Sequence, residues 1–167
     1  MTPISFQDQL QQVSAMVDTM RANCQWKLKS INALILKYGR QYSISSKTAL
    51  SGDTPKLCYQ NAYRAACDNR DLLYCEGYVS FMGLPINHAW VVNKNGTAFE
   101  PTLNFKKGES LEYFGVTFTT QFIIEESLRS GHYGVFGDML LPWQVEWLKN
   151  GSLPENALYQ FNEKAST

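Results

Sequence analysis

The sequence lacks any long apolar run. Nowhere do about 18 apolar residues follow one another, the least a helix needs to cross a bilayer, so no membrane-spanning helix is expected. It also lacks an excess of either charge: Lys and Arg number 15, Asp and Glu number 15, and the net charge at pH 7 is zero. That balance argues against a broad electrostatic grip on nucleic acid or anionic lipid, since both require a cationic face. The opening residues, MTPISFQDQLQQ, lack the basic start, apolar stretch and small-residue cleavage site of a secretory signal. Histidine is scarce, with two in the chain, and none of the four cysteines (Cys24, Cys58, Cys67 and Cys75) forms a CxxC pair. No zinc-like cluster can be assembled from that set, and no metal or organic cofactor is implied. Two disulfides are arithmetically possible, but without a signal sequence the expectation is a cytoplasmic protein with reduced thiols. Repeats and low-complexity segments are absent too.

What is present is 167 residues of ordinary globular composition, 44% hydrophobic and 13% aromatic. That is enough for one domain with its own core. Residues 5 to 38 carry helical periodicity through Phe6, Leu10, Val13, Val17, Met20, Cys24, Leu28, Ile31, Leu34 and Tyr38, as one long helix or as two with a break near Asn23. Ser5 with Asp8 resembles a start box and Gly39 a C-terminal cap. Residues 40 to 55 are polar and short-sided and read as loop. Pro55 then opens a second helix, KLCYQNAYRAACDN, with Cys58 in about its first turn. LLYCEGYVSF, HAWVV, TAFEP and LEYFGVTF read as four strands. Thr119 or Thr120 caps a helix ending at Gly131, Pro142 starts a short helix WQVEWLK closed by Asn150 and Gly151, and the last eight residues look frayed. Helices, then strands, then helices predict an α+β domain with a mostly antiparallel sheet. Within it lie an N-terminal helical region (1–39), a core (55–135) and a C-terminal helix and tail (136–167).

Cys58 stands apart from the other cysteines by its address. A helix N-terminus offers unpaired N–H groups and the positive end of the macrodipole, both of which favour thiolate. Cys24, Cys67 and Cys75 read instead as small core residues. A thiolate nucleophile needs a base, and the base needs an orienting group. His88 begins a strand, and Glu100 ends the next, with Asn95-Gly96 between them. Strand parity tests whether they can meet. A two-residue Asn-Gly loop would pair Lys94 with Thr97 and send His88 and Glu100 to opposite faces. A three-residue Lys-Asn-Gly loop, with Gly96 left-handed, pairs Asn93 with Thr97, sets Trp90 opposite Glu100 and makes His88 and Glu100 diagonal neighbours. The sequence permits the second turn without forcing it. His132, in SGHYG, has no acidic neighbour to orient it and reads as structural; Asp68 and Asp71 read as helix-end and turn acids.

Cys at a helix start, His-Ala-Trp on a strand and acid-Pro-Thr on the next resemble the transglutaminase-like branch of the papain-like cysteine enzymes. The wider pattern KLCYQNA, YCEGY, HAWVV, EPT, EYFGVTF, over residues 55 to 135, is similar to uncharacterised bacterial and phage proteins with a Cys-Tyr-x-Asn-Ala helix. The resemblance implies a papain-like core, with Cys58 as nucleophile, His88 as base and Glu100 as the acid that orients it. Glu100 stands where that family carries Asp, and its extra methylene moves the carboxylate. Around these, Asn61, one turn beyond Cys58, is expected to hold the helix in place or to touch substrate. Trp90 would shield the ion pair from water. Glu76 could sit beside the site, although strand period gives the inner face to Cys75, Gly77 and Val79 and points Glu76 outward. The oxyanion donor would be the Cys58 N–H, with Gln41 and Gln60 as side-chain candidates. Two functions follow: a Cys-His-Glu acyl-transfer enzyme (peptidase, deamidase or transamidase) acting on protein or peptide, or a non-catalytic factor of phage or mobile-element type that binds a host protein. In the latter, WQVEWL would be a contact surface.

Overall fold

The computed structural model of the protein describes residues 4–50, 54–137 and 140–161. The N-terminal periodicity resolves into two helices. In α1 (Phe6–Met20), the Ser5 hydroxyl accepts the Asp8 N–H, and Phe6 and Leu10 are buried. In α2 (Ile31–Tyr38), Ser30 accepts the Ala33 N–H and Leu34 and Ile35 are buried. The Arg21 guanidinium donates to the Lys29 carbonyl across the reversal between them. Cys24 therefore lies in a connecting turn, partly exposed, rather than on a buried helix face. Gly39 follows α2 for lack of space rather than for a left-handed turn. Its φ is −77°, and a Cβ there would stand 2.5 Å from the Ile35 carbonyl oxygen and 2.6 Å from a Phe114 ring carbon.

Residues 40 to 55 are not all loop, because Arg40–Ile44 form strand β1. Its polar letters hide an alternation in which Tyr42 and Ile44 turn inward and Gln41 and Ser43 outward. Pro55 does not open the next helix either. Pro55 and Lys56 sit in a turn, Lys56 in the left-handed region at φ +66°, and α3 (Cys58–Asp68) begins at the cysteine itself. The remaining strands are β2 (Leu72–Phe81), β3 (Leu84–Asn93), β4 (Ala98–Phe99) and β5 (Leu111–Thr117). They form one five-stranded antiparallel sheet in the order β1-β5-β2-β3-β4. With the helices, this is the mixed α+β architecture that the pattern predicts.

Both faces of the sheet are buried. Tyr74, Ala89, Val91 and Val116 pack with residues of α1 to α3 and with α4 (Thr120–Ser130) and α5 (Pro142–Asn150). Cys75, Val79, Trp90, Val92 and Tyr113 pack on the opposite side with Tyr42, Ile44, Leu103 and Phe105. The two outer edges approach each other: the Thr48 N–H donates to the Glu100 carbonyl at 2.7 Å, and the backbones of Lys47 and Glu100 form an isolated parallel β-bridge. Helix ends follow ordinary chemistry. Thr119 accepts the Phe122 N–H, and Gly131 and Gly151 close α4 and α5 at φ +75° and +68°. The WQVEWL tract belongs to the core, with Trp147 and Leu148 buried, so it is no contact surface. Of the tail expected to fray, Phe161 packs against the second core and under the Arg40 guanidinium. Residues 162 to 167 lie outside those described. No helix among the described residues is long and apolar enough to cross a membrane.

Candidate active site

The hairpin between β3 and β4 sets the geometry. Val91 pairs with Phe99 and Val92 with Ala98. The Asn93 N–H donates to the Thr97 carbonyl, and the Gly96 N–H returns to the Asn93 carbonyl. This is the three-residue Lys-Asn-Gly loop, with Gly96 left-handed at φ +86°. The Asn93 side chain fixes it further, its Oδ1 accepting from the Asn95 and Thr97 N–H groups. Continued one step, the register puts Trp90 opposite Glu100 on the face that carries His88. His88 Nε2 and Glu100 Oε2 stand 2.7 Å apart, with the residues 4% and 0% exposed.

Four donors converge on the Glu100 carboxylate. Oε2 receives His88 and, at 2.8 Å, the Tyr113 hydroxyl. Oε1 receives the Thr102 and Leu103 N–H groups at 2.7 and 2.9 Å. Burial would raise the acid's pKa, but the hydrogen bond to His88, the charge of that ring and the two N–H groups outweigh it, and the pKa is lowered. The glutamate's extra methylene is taken up by this turn, which fixes one oxygen while the other faces the imidazole. For His88, burial works against the charged ring. Hydrogen bonds to Cys58 and Glu100, and the charges of both, more than reverse this and push its pKa up to about 9. With Nε2 committed to Glu100, Nδ1 is the nitrogen left for the thiol.

Cys58 is half-buried at the first position of α3. The structure thus pairs His88 with Glu100 and sets Cys58 close enough to the imidazole to influence its protonation. Trp90 stacks beside the imidazole at 6.4 Å between centroids and meets the Tyr113 ring edge-on at 5.1 Å. Its indole N–H is buried with no hydrogen-bond partner among the described residues, and the side chain is held by packing in the second core. Asn61 is buried and braces the site. Its Nδ2 donates to the Thr54 carbonyl and to the Thr102 hydroxyl, and its Oδ1 accepts the Thr54 N–H. It therefore ties the loop before Cys58 to the turn behind Glu100.

Other expectations change. Glu76 does not face outward: it is 2% exposed and accepts from the Tyr74 hydroxyl and from the Val135 and Phe136 N–H groups at 2.7, 2.7 and 2.8 Å. Period misleads here because both sheet faces are buried, so neither is the solvent side. Gln41 is outward on β1 and donates to Glu112, which removes it from the site, whereas Gln60 borders a cavity next to Cys58. Cys67 is exposed rather than core, and Cys75 is fully buried, its thiol pKa pushed well up by burial. His132 is exposed at the rim of the same cavity. Asp68 ends α3 and Asp71 is an exposed turn acid beside Lys94. Sequence reasoning missed Tyr113. Its only signal is its place in a strand, and which acid it would meet depends on the curl of the sheet.

Among the described residues no group of three or more His, Cys, Asp or Glu could hold a metal ion. Comparison with protein-family models, with curated proteins and with solved structures gave no match.

Proposed function

We propose that the protein is a cysteine-dependent acyl-transfer enzyme with a papain-like, transglutaminase-like core, in which Cys58 is the nucleophile, His88 the acid and base, and Glu100 the residue that orients the ring. The carrying observation is the buried His88–Glu100 pair at 2.7 Å, with Cys58, at the start of α3, near enough to raise the ring's pKa. A ring whose pKa is pushed up to about 9 carries, at neutral pH, the proton that the leaving group needs. The thiolate attacks a carboxamide or peptide carbonyl and a C–S bond forms. Imidazolium gives its proton to the departing amine as the C–N bond breaks, leaving a thioester. Neutral His88 then takes a proton from water or an amine, which attacks the thioester and releases the thiolate. The developing oxyanion is met by the Cys58 N–H, at a helix start whose N-cap residue, Leu57, makes no side-chain cap.

Iodoacetamide tests this against a built-in control. Cys67 is exposed, and its pKa is raised, chiefly by burial of the thiol. Cys58 is expected to label at pH 6 at least tenfold faster than Cys67, and His88→Ala to slow Cys58 while leaving Cys67 unchanged. Equal rates for the two cysteines in the unmodified protein would sink the enzyme reading.

One observation favours the second reading, a non-catalytic protein-binding factor. The tip of the β2–β3 hairpin presents Phe81, Met82, Leu84 and Ile86 to solvent, four large apolar side chains at 38–88% exposure. A host protein that co-purifies equally with Cys58→Ala and is lost with Met82→Lys and Leu84→Lys would support it.

A further inference from the structure

A cavity of about 620 Å³ opens beside the first turn of α3, within the size range of small-ligand sites. Leu57 and Tyr59, the residues on either side of Cys58, form one wall, and Tyr133, Val135, Phe136 and Leu141 form the other. Polar side chains, Lys56, Gln60 and His132 among them, also border it. The far wall has little hydrogen-bonding capacity left to offer. The N–H groups of Val135 and Phe136 are taken by the buried Glu76, and the Val135 carbonyl accepts from the buried Gln144 Nε2 at 2.6 Å. What the Val135–Phe136 stretch, Leu141 and the tyrosine rings turn toward a ligand is largely side-chain hydrocarbon and aromatic ring. A polar group placed against Val135 and Phe136 would lose its water and find few new partners there, at a cost that an apolar group avoids.

We propose that this cavity is the subsite for the acyl donor and selects a donor carrying an aromatic group. The proposal rests on Cys58 being the nucleophile and adds the substrate class. Glu76 is then a positioning residue: it pins residues 135 and 136 from behind while the Tyr74 hydroxyl holds the carboxylate in place. The aromatic walls suit edge-to-face packing with a ligand ring. In the acyl transfer, the donor's carbonyl carbon bonds to the Cys58 sulfur, its leaving group departs with the electron pair of the broken bond, and water later releases the acid.

Two paired measurements on the full chain test this. The first compares acylation of Cys58 by 4-nitrophenyl acetate and 4-nitrophenyl 3-phenylpropanoate, read by release of 4-nitrophenolate and by mass. The second compares binding of propanamide and 3-phenylpropanamide to Cys58→Ala by saturation-transfer NMR, which needs no chemistry. The expected results are at least tenfold faster acylation by the phenyl ester and at least tenfold tighter binding of the phenyl amide. Both preferences should fall at least fivefold in Gln60→Trp and in Leu57→Trp, which fill the cavity from its α3 side. Equal rates for the two esters, or a preference untouched by both tryptophans, overturns the subsite and leaves the nucleophile standing. Failure of both esters to acylate Cys58, with the amide preference intact, overturns the nucleophile and the acyl assignment together and leaves an apolar binding site.

Discussion

Glu100 shows how one carboxylate fixes a constellation. Its two oxygens serve four donors, and glutamine cannot replace it: one oxygen remains an acceptor while the new NH2 group confronts donors. Breaking a buried pair in this way costs about 3–5 kcal/mol, so Glu100→Gln is expected to lower stability by that order in urea titration and to slow Cys58 labelling. Tyr113→Phe removes a single hydrogen bond to a charged acceptor, worth about 1.5–3 kcal/mol, and leaves the imidazole contact in place. It is expected to destabilise less than Glu100→Gln and to slow labelling less. Glu100→Asp gives a sharper outcome. The shorter side chain cannot serve both the Thr102–Leu103 turn and His88, so it is expected to reduce labelling although the resembling family carries Asp at this place. Labelling at or above the original rate would show that the turn does not set the acid's position.

The hairpin loop decides whether the site exists at all. Lys94, Asn95 and Gly96 make a three-residue connection, and side chains alternate along each strand. Deleting Lys94 leaves Asn-Gly, a favoured two-residue turn, and shifts the following strand by one residue. Glu100 then faces away from His88. The deletion variant is expected to fold with its sheet largely preserved, by circular dichroism, and to label Cys58 no faster than Cys67. Gly96→Ala keeps the loop length but strains a residue at φ +86°, at about 1–2 kcal/mol, with labelling little changed. The elements themselves were largely readable in advance. LLYCEGYVSF spans β2, and Ser5, Thr119, Gly131, Pro142 and Gly151 mark helix ends as expected. The failures have physical causes. β1 is short and borrows its stability from pairing with β5, so RQYSI carries little local signal. Pro55 is a common helix opener, but the chain needs a turn there with Lys56 left-handed, and the helix starts at Cys58.

For the whole molecule, the raised pKa of His88 ties stability to pH. A folded value near 9 against 6.5 unfolded contributes fully below about pH 6.5 and is lost as pH rises through 9, about 3 kcal/mol in all. Glu100, whose pKa is lowered from 4.5, contributes above that value and loses its share as pH falls through its folded pKa. Urea titrations are therefore expected to show a plateau between about pH 4.5 and 6.5 and a decline toward pH 9. His88→Gln should lack the decline. In Cys58→Ser, which removes one of the groups that raise the ring's pKa, the decline should be smaller and end at lower pH. The sequence alone determined the α+β order, the place of Cys58 at a helix start and the short set of acids and bases available, because periodicity, capping and composition are local properties. Only the tertiary structure decided that the hairpin takes the longer loop, that Tyr113 joins Glu100 and that Glu76 turns inward to hold the 135–136 segment. Those outcomes depend on which distant strands pair and how far the sheet curls, and no local pattern encodes that.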